Sequence, residues 1–139
     1  MIVLDASACV ELLVGADPDD ALLEVFHEPI CAPAHLDVEV LSTLRGLVLG
    51  HVISLDKATE AIEVFYQMPI TRQEIWPLAG RIWELREEYT TYDAAYIALA
   101  EGLEATLFTC DKKLRGRLHF AKVKAVSYTH LTLPTTPYV

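Results

Sequence analysis

The sequence lacks several features that mark common classes of protein. No apolar run approaches the roughly 20 residues that a membrane-spanning helix needs. Residues 1–5 contain no basic segment followed by a long apolar one, as a secretion signal would. Glycine-rich phosphate-binding loops, dinucleotide-binding fingerprints and zinc-finger spacings are also absent. We therefore expect a cytoplasmic protein that does not contact a membrane and does not use those cofactor motifs.

Cysteine is scarce, and its few positions argue against disulfides. The three cysteines are Cys9, Cys31 and Cys110, an odd number in apolar surroundings with no metal-ligand spacing. Such cysteines are typical of buried free thiols in a reducing compartment. The chain has 139 residues, of which 53% are hydrophobic and 22% charged. This composition indicates one globular domain rather than a disordered chain.

Positive charge is scarce in the first 111 residues, where five basic side chains accompany all 20 acidic ones, for a net charge of −15. Beyond Asp111 the balance reverses, with six basic residues and no acid: Lys112, Lys113, Arg115, Arg117, Lys122 and Lys124. A basic segment could hold a phosphate backbone near Asp111. It could equally be a solvated surface without a partner. Charge alone leaves both interpretations open.

Short apolar segments alternate with amphipathic ones along the chain. Strands are predicted at residues 2–4, 30–32, 70–71, 106–108 and 123–126. Helices are predicted at residues 7–14, 17–27, 36–49, 55–67, 73–88, 91–101 and 112–118. Strands separated by helices require crossover connections, which favour an α/β fold with a central parallel sheet and helices on both faces.

Four acidic residues occupy positions that such a fold would bring together. Asp5 and Asp111 directly follow predicted strands, Glu39 lies early in a helix, and Asp93 opens another. Ligands of open α/β sheets bind beyond the carboxyl ends of the strands. Carboxylates gathered there repel one another unless a pKa rises or a cation lies between them. Because Mg²⁺ prefers oxygen ligands, the pattern predicts a metal-dependent hydrolase.

Each acid also has a purely structural interpretation. Asp5 and Asp111 could be helix N-caps, and Asp93 could complement a helix dipole. In the helix at 36–49, Asp37 lies nearer than Glu39 to the centre of the apolar stripe. Periodicity alone therefore does not choose between these two acids.

Two hydroxyl residues flank the acids that follow strands. Ser7 comes two residues after Asp5, and Thr109 comes two residues before Asp111. Such hydroxyls can orient a carboxylate or a water in a metal site. An aspartate after the first strand also occurs in haloacid-dehalogenase phosphatases and response-regulator receivers. The phosphatase pattern requires a second aspartate where this chain has Ser7, and the receiver's acceptor aspartate and distal lysine have no convincing counterparts here.

Four segments together resemble the PIN-domain family, and within it the VapC toxins of bacterial toxin–antitoxin modules. They read IVLDAS at 2–7, PAHLDVEVLSTLR at 33–45, TYDAAYIALAE at 91–101 and FTCDKKL at 108–114. The segments occur in the family's order, and the resemblance extends over residues 1–126.

The resemblance implies a PIN-like fold and an endoribonuclease that depends on Mg²⁺, with Mn²⁺ as a substitute. The family's acidic quartet falls on Asp5, Glu39, Asp93 and Asp111, so the resemblance selects Glu39 over Asp37. Its supporting hydroxyls fall on Ser7 and Thr109. The family also implies a toxin inhibited by a small cognate antitoxin, and a homodimer.

The resulting hypothesis for the mechanism gives each group a role. Asp5 and Asp93 hold the principal metal, Asp111 completes the site or holds a second ion, and Glu39 orients the attacking water. The RNA backbone is positioned by Lys112, Lys113 and Arg115. A non-catalytic RNA-binding or scaffold module on the same fold is the alternative.

Residues 127–139 differ in composition from the rest of the chain. They contain four threonines and two prolines but no charged side chain. The fold is complete once the last predicted strand ends at Val126. We therefore predict a nuclease domain at 1–126, followed by a flexible or vector-derived tail at 127–139.

Overall fold

Five short strands run parallel in a single sheet. The computed structural model describes residues 1–116 and 118–129, and in these ranges the strand order is β3-β2-β1-β4-β5. The strands are β1 (Ile2–Leu4), β2 (Ile30–Pro33), β3 (Ile70–Gln73), β4 (Thr106–Thr109) and β5 (Lys122–Ala125). Every neighbouring pair is parallel, which confirms the predicted sheet.

Six α-helices connect the strands in the described part of the chain. They are α1 (Ala6–Val14), α2 (Asp20–Leu23), α3 (Leu36–Leu49), α4 (Leu55–Gln67), α5 (Ala79–Glu84) and α6 (Thr91–Leu103). Three 3₁₀ helices lie at Glu24–His27, Trp76–Leu78 and Lys112–Arg115. Helix α6 packs on β1, β2 and β4 and carries α5 on its outer side, whereas α1, α3 and α4 pack together. Helices therefore flank both faces, as predicted.

The shortest of the described strands, β1, lies at the centre of the sheet. All three residues of β1 are buried, because both edges and both faces of this strand are covered. Leu4 is aligned with Phe108 of β4, so both strands end at the same edge of the sheet. Asp5 and the residues after Thr109 consequently emerge side by side.

Three helix predictions were wrong. In the described residues, the segment predicted as a helix at 112–118 forms only a 3₁₀ turn at Lys112–Arg115. The second helix begins with Asp19 as its N-cap rather than Asp17, and it continues from Leu23 into a 3₁₀ turn. Residues 73–88 are not one helix. Pairing with β2 extends β3 as far as Gln73, and Pro77, which has no N–H to donate, lies in a separate 3₁₀ turn before α5.

The first residues of the predicted tail contact the domain. The main-chain N–H of Thr129 donates to Glu11 Oε1 at 2.9 Å, and Thr129 Oγ1 accepts a hydrogen bond from the main-chain N–H of Asp17. The prediction for residues 130–139 lies outside the described residues. Within the described ranges, no helix is both long and apolar enough to cross a bilayer.

Candidate active site

The four predicted acids line one cavity at the carboxyl edge of the sheet. The cavity has a volume of about 230 Å³, and its lining residues are Asp5, Ala6, Ser7, Glu39, Thr43, Asp93, Tyr96, Asp111 and Tyr128. The acids come from four places in the sequence, namely the ends of β1 and β4 and the first turns of α3 and α6. The fold therefore brings together the set that the sequence predicted.

Asp5 is both a helix cap and a wall of the cavity. Its Oδ1 accepts hydrogen bonds from the main-chain N–H of Ala8 at 2.9 Å and from Ser7 Oγ at 2.6 Å. Burial raises the pKa of this carboxyl to about 6, and the charge of Asp93 adds to the rise, against the opposing effect of hydrogen bonds from Ser7, Thr109 and Ala8. The structure confirms the N-cap interpretation of Asp5, and the same residue also lines the acidic cavity.

Ser7 and Thr109 tie the ends of β1 and β4 together. The hydroxyl of Ser7 accepts a hydrogen bond from the main-chain N–H of Cys110 at 2.8 Å and lies 3.4 Å from Thr109 Oγ1. Thr109, which is fully buried, accepts a hydrogen bond from the main-chain N–H of Asp111 at 2.9 Å. The two hydroxyls thus fix the positions of both strand-end acids relative to each other.

Asp93 faces the other acids from the start of α6. Its main-chain N–H donates to Thr90 Oγ1, the N-cap of that helix, at 3.1 Å. Burial, followed by the negative charges of Asp111 and Glu39, raises the pKa of the Asp93 carboxyl to about 6. Two of the four carboxyls therefore ionise at a higher pH than ordinary aspartates do, as expected where buried negative groups share a site.

Glu39 and Asp37 have different surroundings, although they lie two residues apart on α3. Asp37 faces away from the cavity and pairs with Arg72, whose Nε lies 2.9 Å from Asp37 Oδ1, and the Arg72 hydrogen bond lowers the pKa of that carboxyl. Glu39 lines the cavity. The structure thus separates the two candidates that periodicity could not distinguish.

Two aromatic residues that the sequence analysis did not identify hold Glu39 in place. The Tyr96 hydroxyl donates to Glu39 Oε1 at 2.7 Å, and His35 Nε2 lies 3.2 Å from the same oxygen. Burial raises the pKa of Tyr96 well above its ordinary value, which keeps the hydroxyl protonated as a donor. Helical spacing was the available signal, since Tyr96 is three residues after Asp93 and His35 is four before Glu39.

Asp111 joins the cavity to the basic segment. Its Oδ1 accepts a hydrogen bond from the main-chain N–H of Lys113 at 2.9 Å and so caps the 3₁₀ helix Lys112–Arg115. The side chains of Lys112, Lys113 and Arg115 are exposed beside it. Positive charge therefore begins within one turn of the acidic cavity.

The donor set of the cavity suits a hard divalent cation. All four acids offer carboxylate oxygens, and the pKa values of Asp5 and Asp93 are raised because these carboxyls are buried and have negative groups nearby. In the described part of the chain, however, no three His, Cys, Asp or Glu side chains lie close enough to ligate one ion together. Mg²⁺ commonly uses only one or two carboxylates and keeps several waters, so this spacing remains compatible with it.

Comparison with known proteins identifies close relatives. A model of the PIN domain matches residues 2–117. Ribonuclease VapC12 of Mycobacterium tuberculosis strain H37Rv is 39% identical over 129 residues, which cover 91% of this chain and 100% of that protein.

Solved structures share the fold at low sequence identity. The crystal structure of M. tuberculosis VapC20, a toxin that cleaves the sarcin–ricin loop, has a TM-score of 0.60 at 15% identity and covers 83% of this chain and 93% of its own. VapBC2 of Rickettsia felis, bound to a DNA fragment from its promoter, has a TM-score of 0.61 at 14% identity. The match covers 90% of this chain and 98% of that one. At these identities the structural matches show the fold alone.

Proposed function

Because this chain belongs to the PIN-domain family, with VapC ribonucleases among its relatives, we propose that it is an endoribonuclease that hydrolyses phosphodiester bonds in RNA. The observation that carries the proposal is the single cavity lined by Asp5, Glu39, Asp93 and Asp111. A cleft of carboxylates next to exposed basic side chains suits a phosphodiester substrate, whose backbone needs positive charge and whose hydrolysis needs an activated water.

The cofactor we propose is Mg²⁺, with Mn²⁺ as a substitute. Asp5 and Asp93 would hold the principal ion, and Asp111 would complete its site through a bound water or hold a second ion. A divalent cation supplies Lewis acidity, which activates water and offsets negative charge on the scissile phosphodiester. Two carboxyls with a pKa of about 6 give up protons readily to such an ion at neutral pH.

We assign the other residues of the site a positioning role. Glu39, held by the Tyr96 hydroxyl and by His35, orients the attacking water. Ser7 would orient the Asp5 carboxylate through its hydroxyl, and Thr109 would position Asp111 through the main-chain N–H of that residue. These supports keep the site in place before RNA binds.

The RNA backbone would lie across the basic segment. Lys112, Lys113 and Arg115 are exposed on a turn that starts at Asp111, so a phosphate held by them lies next to the cavity. The strongly acidic remainder of the chain offers few other basic side chains. This arrangement favours one path for the RNA.

We further propose that the protein is the toxin of a toxin–antitoxin pair and acts in the cytoplasm. Its inhibitor would be a cognate antitoxin protein, and the toxin would form a homodimer. The apolar residues of α1, α2 and the 3₁₀ helix Glu24–His27 serve mainly the core, since Val10, Leu22 and Val25 are fully buried. An exposed apolar groove does lie between α3 and α4, with Leu41, Leu49, Leu55 and Ile62 among its lining residues, and a partner helix could cover it.

The test is cleavage of total cellular RNA with Mg²⁺ or Mn²⁺, with and without a chelator, followed by sequencing of the new ends. Asp5→Asn is the matched variant, since its amide oxygen can still cap α1. Discrete ends that disappear with the chelator and in Asp5→Asn are expected. The chain ending at Val126 is assayed alongside the full chain, because we assign the nuclease to residues 1–126.

Absence of cleavage would favour the alternative, a non-catalytic module on the same fold. If the folded wild-type protein, freed of any inhibitor, leaves RNA intact with both metals, the nuclease is contradicted. RNA binding without cleavage would then favour a non-catalytic RNA-binding module.

A further inference from the structure

A second cavity adjoins the acidic one and has different chemistry. It has a volume of about 150 Å³, and its lining residues are His35, Ile75, Ile82, Thr91, Tyr92 and Ala95. Apart from a threonine and a histidine, these side chains offer an apolar or aromatic surface. None of them is among the acids of the candidate active site.

The two cavities share a wall. The His35 ring packs against Tyr96 at a tilt of 55°, with centroids 4.8 Å apart. Its Nε2 lies 3.2 Å from Glu39 Oε1 and 3.2 Å from the main-chain oxygen of Tyr92. Glu39 and Tyr96 line the acidic cavity, whereas His35 and Tyr92 line the apolar one. In α6, Tyr92 directly precedes Asp93. A ligand that fills the second cavity therefore contacts His35, which in turn contacts the Glu39 carboxylate of the acidic cavity.

Tyr92 supplies an aromatic face at the mouth of this cavity. Its side chain is 57% exposed, although a large aromatic ring is normally more buried. The His35 and Tyr92 rings lie 6.0 Å apart and are tilted by 52°, so they border the cavity from two directions. An apolar cleft with aromatic walls suits a flat ring that binds by stacking.

We propose that this cavity, which we call the base pocket, receives an unpaired nucleobase next to the scissile phosphate. The inference rests on the proposed ribonuclease function, because a nucleobase is the flat ring that RNA presents beside every phosphate. Proteins recognise single-stranded RNA largely by stacking its bases on aromatic side chains. The base pocket would fix which phosphate enters the acidic cavity.

The size of the base pocket favours a single ring. An engineered apolar cavity of about 150 Å³ in another protein binds benzene. A pyrimidine has one six-membered ring, whereas a purine has a second, fused ring. The pocket therefore accommodates a pyrimidine more completely than a purine.

The experiment measures binding of short, fluorescently labelled single strands by anisotropy, with a chelator present so that RNA is not cleaved. Three probes are compared: oligouridylate, oligoadenylate and a ribose-phosphate strand of equal length that lacks bases. The proteins are wild type, Tyr92→Ala, Tyr92→Phe and Tyr66→Ala. Tyr66 is the matched control because it is 55% exposed and lines neither cavity.

The base pocket predicts a specific pattern. Tyr92→Ala should weaken binding of oligouridylate by about 5- to 150-fold, the usual effect of removing one stacking side chain. Tyr92→Phe and Tyr66→Ala should retain most of the wild-type affinity. Binding of the base-free strand should not change in Tyr92→Ala, and the loss should be smaller for oligoadenylate.

The failures of the two proposals are distinguishable. Wild-type protein that binds oligouridylate as tightly as Tyr92→Ala does overturns the base pocket and leaves the nuclease intact. An equal loss on the base-free strand also overturns it, because the ring would then act on the backbone. Wild-type protein that neither binds nor cleaves RNA overturns both. Thermal melting of each variant verifies folding, and Tyr92→Phe tests the hydroxyl separately from the ring.

Discussion

Asp5 shows at the scale of single residues how a structural role and a chemical role can coexist. Its Oδ1 accepts two hydrogen bonds: one from the main-chain N–H of Ala8, which caps α1, and one from the Ser7 hydroxyl. An asparagine retains such an oxygen but not the negative charge. Loss of activity in Asp5→Asn can therefore be attributed to the charge rather than to the helix end.

Asp93→Asn should make the protein more stable while it removes activity. Burial and the neighbouring acids raise the pKa of Asp93 from 3.8 to about 6, so its ionised form destabilises the folded state at pH 7. Asparagine removes this penalty. We expect a gain of about 1–3 kcal/mol in the free energy of unfolding at pH 7 in chelator, measured by denaturant titration.

The gain in stability of Asp93→Asn over wild type should be larger at pH 7 than at pH 4. As pH falls from above 6 to below 3.8, wild-type Asp93 becomes protonated first in the folded state, so wild type gains stability and the difference from Asp93→Asn shrinks. Asp56→Asn is the control, since Asp56 is an exposed acid in the first turn of α4. A gain that is the same at pH 4 and pH 7 would contradict the argument.

The sequence predicts the acids of the site better than their supports. Asp5 and Asp111 follow strands, so their position at the sheet edge comes from topology alone. The choice of Glu39 over Asp37 depends on Arg72, a partner distant in sequence that binds Asp37 instead. No local pattern reports such a pairing. The family resemblance, rather than periodicity, selected Glu39, which is the acid of the two that lines the cavity.

At the scale of elements, a glycine lets the basic turn pack against the segment before α6. A Cβ added at Gly116 would lie 1.6 Å from Tyr89 Oη and 2.9 Å from Tyr89 Cζ. Tyr89 is buried, so its ring has little room to move. The end of the Lys112–Arg115 turn can therefore pack against Tyr89 only because Gly116 has no side chain.

Gly116→Ala should destabilise the protein by about 1–3 kcal/mol, as overpacking of a buried contact usually does. Tyr89→Phe in the same chain should recover part of the loss, because it removes the oxygen nearest the new Cβ. The measurement is a double-mutant cycle of unfolding free energies. Additive effects of the two substitutions would show that the alanine does not meet Tyr89.

The sequence predicts the bounds of a helix well where nearby residues cap it. It predicts the bounds of a strand poorly where they depend on pairing with a distant segment. Ser54 caps α4 and Gly50 ends α3 as their sequences predict. By contrast, β3 is longer than its two predicted residues because it pairs with β2 through Gln73. The extra strand residues shorten the helical region that the sequence pattern indicated.

At the scale of the whole molecule, the charges of the two parts of the chain are opposite. Residues 1–111 are strongly acidic, and every charged residue after them is basic. An acidic protein binds RNA only through a localised basic surface. The affinity of this protein for RNA should therefore depend on very few side chains.

Lys112→Ala should weaken RNA binding and reduce its dependence on salt. Removing one phosphate contact lowers the magnitude of the slope of log K against log salt by about 0.7 for single strands. Lys57→Ala, which removes an exposed lysine from the first turn of α4, is the control and should leave the slope unchanged. Equal slopes for wild type and Lys112→Ala would assign the basic segment to plain surface.

The central position of β1 has a consequence for translation. The first strand to leave the ribosome pairs with β4, and the hydrogen bond from Cys110 to Ser7 joins residues 103 positions apart. Such long-range parallel pairing forms slowly and cannot begin until both segments exist. The nascent chain therefore carries Asp5 without its carboxylate partner until Asp111 has been synthesised. The acidic cavity is assembled only after β4 has paired with β1.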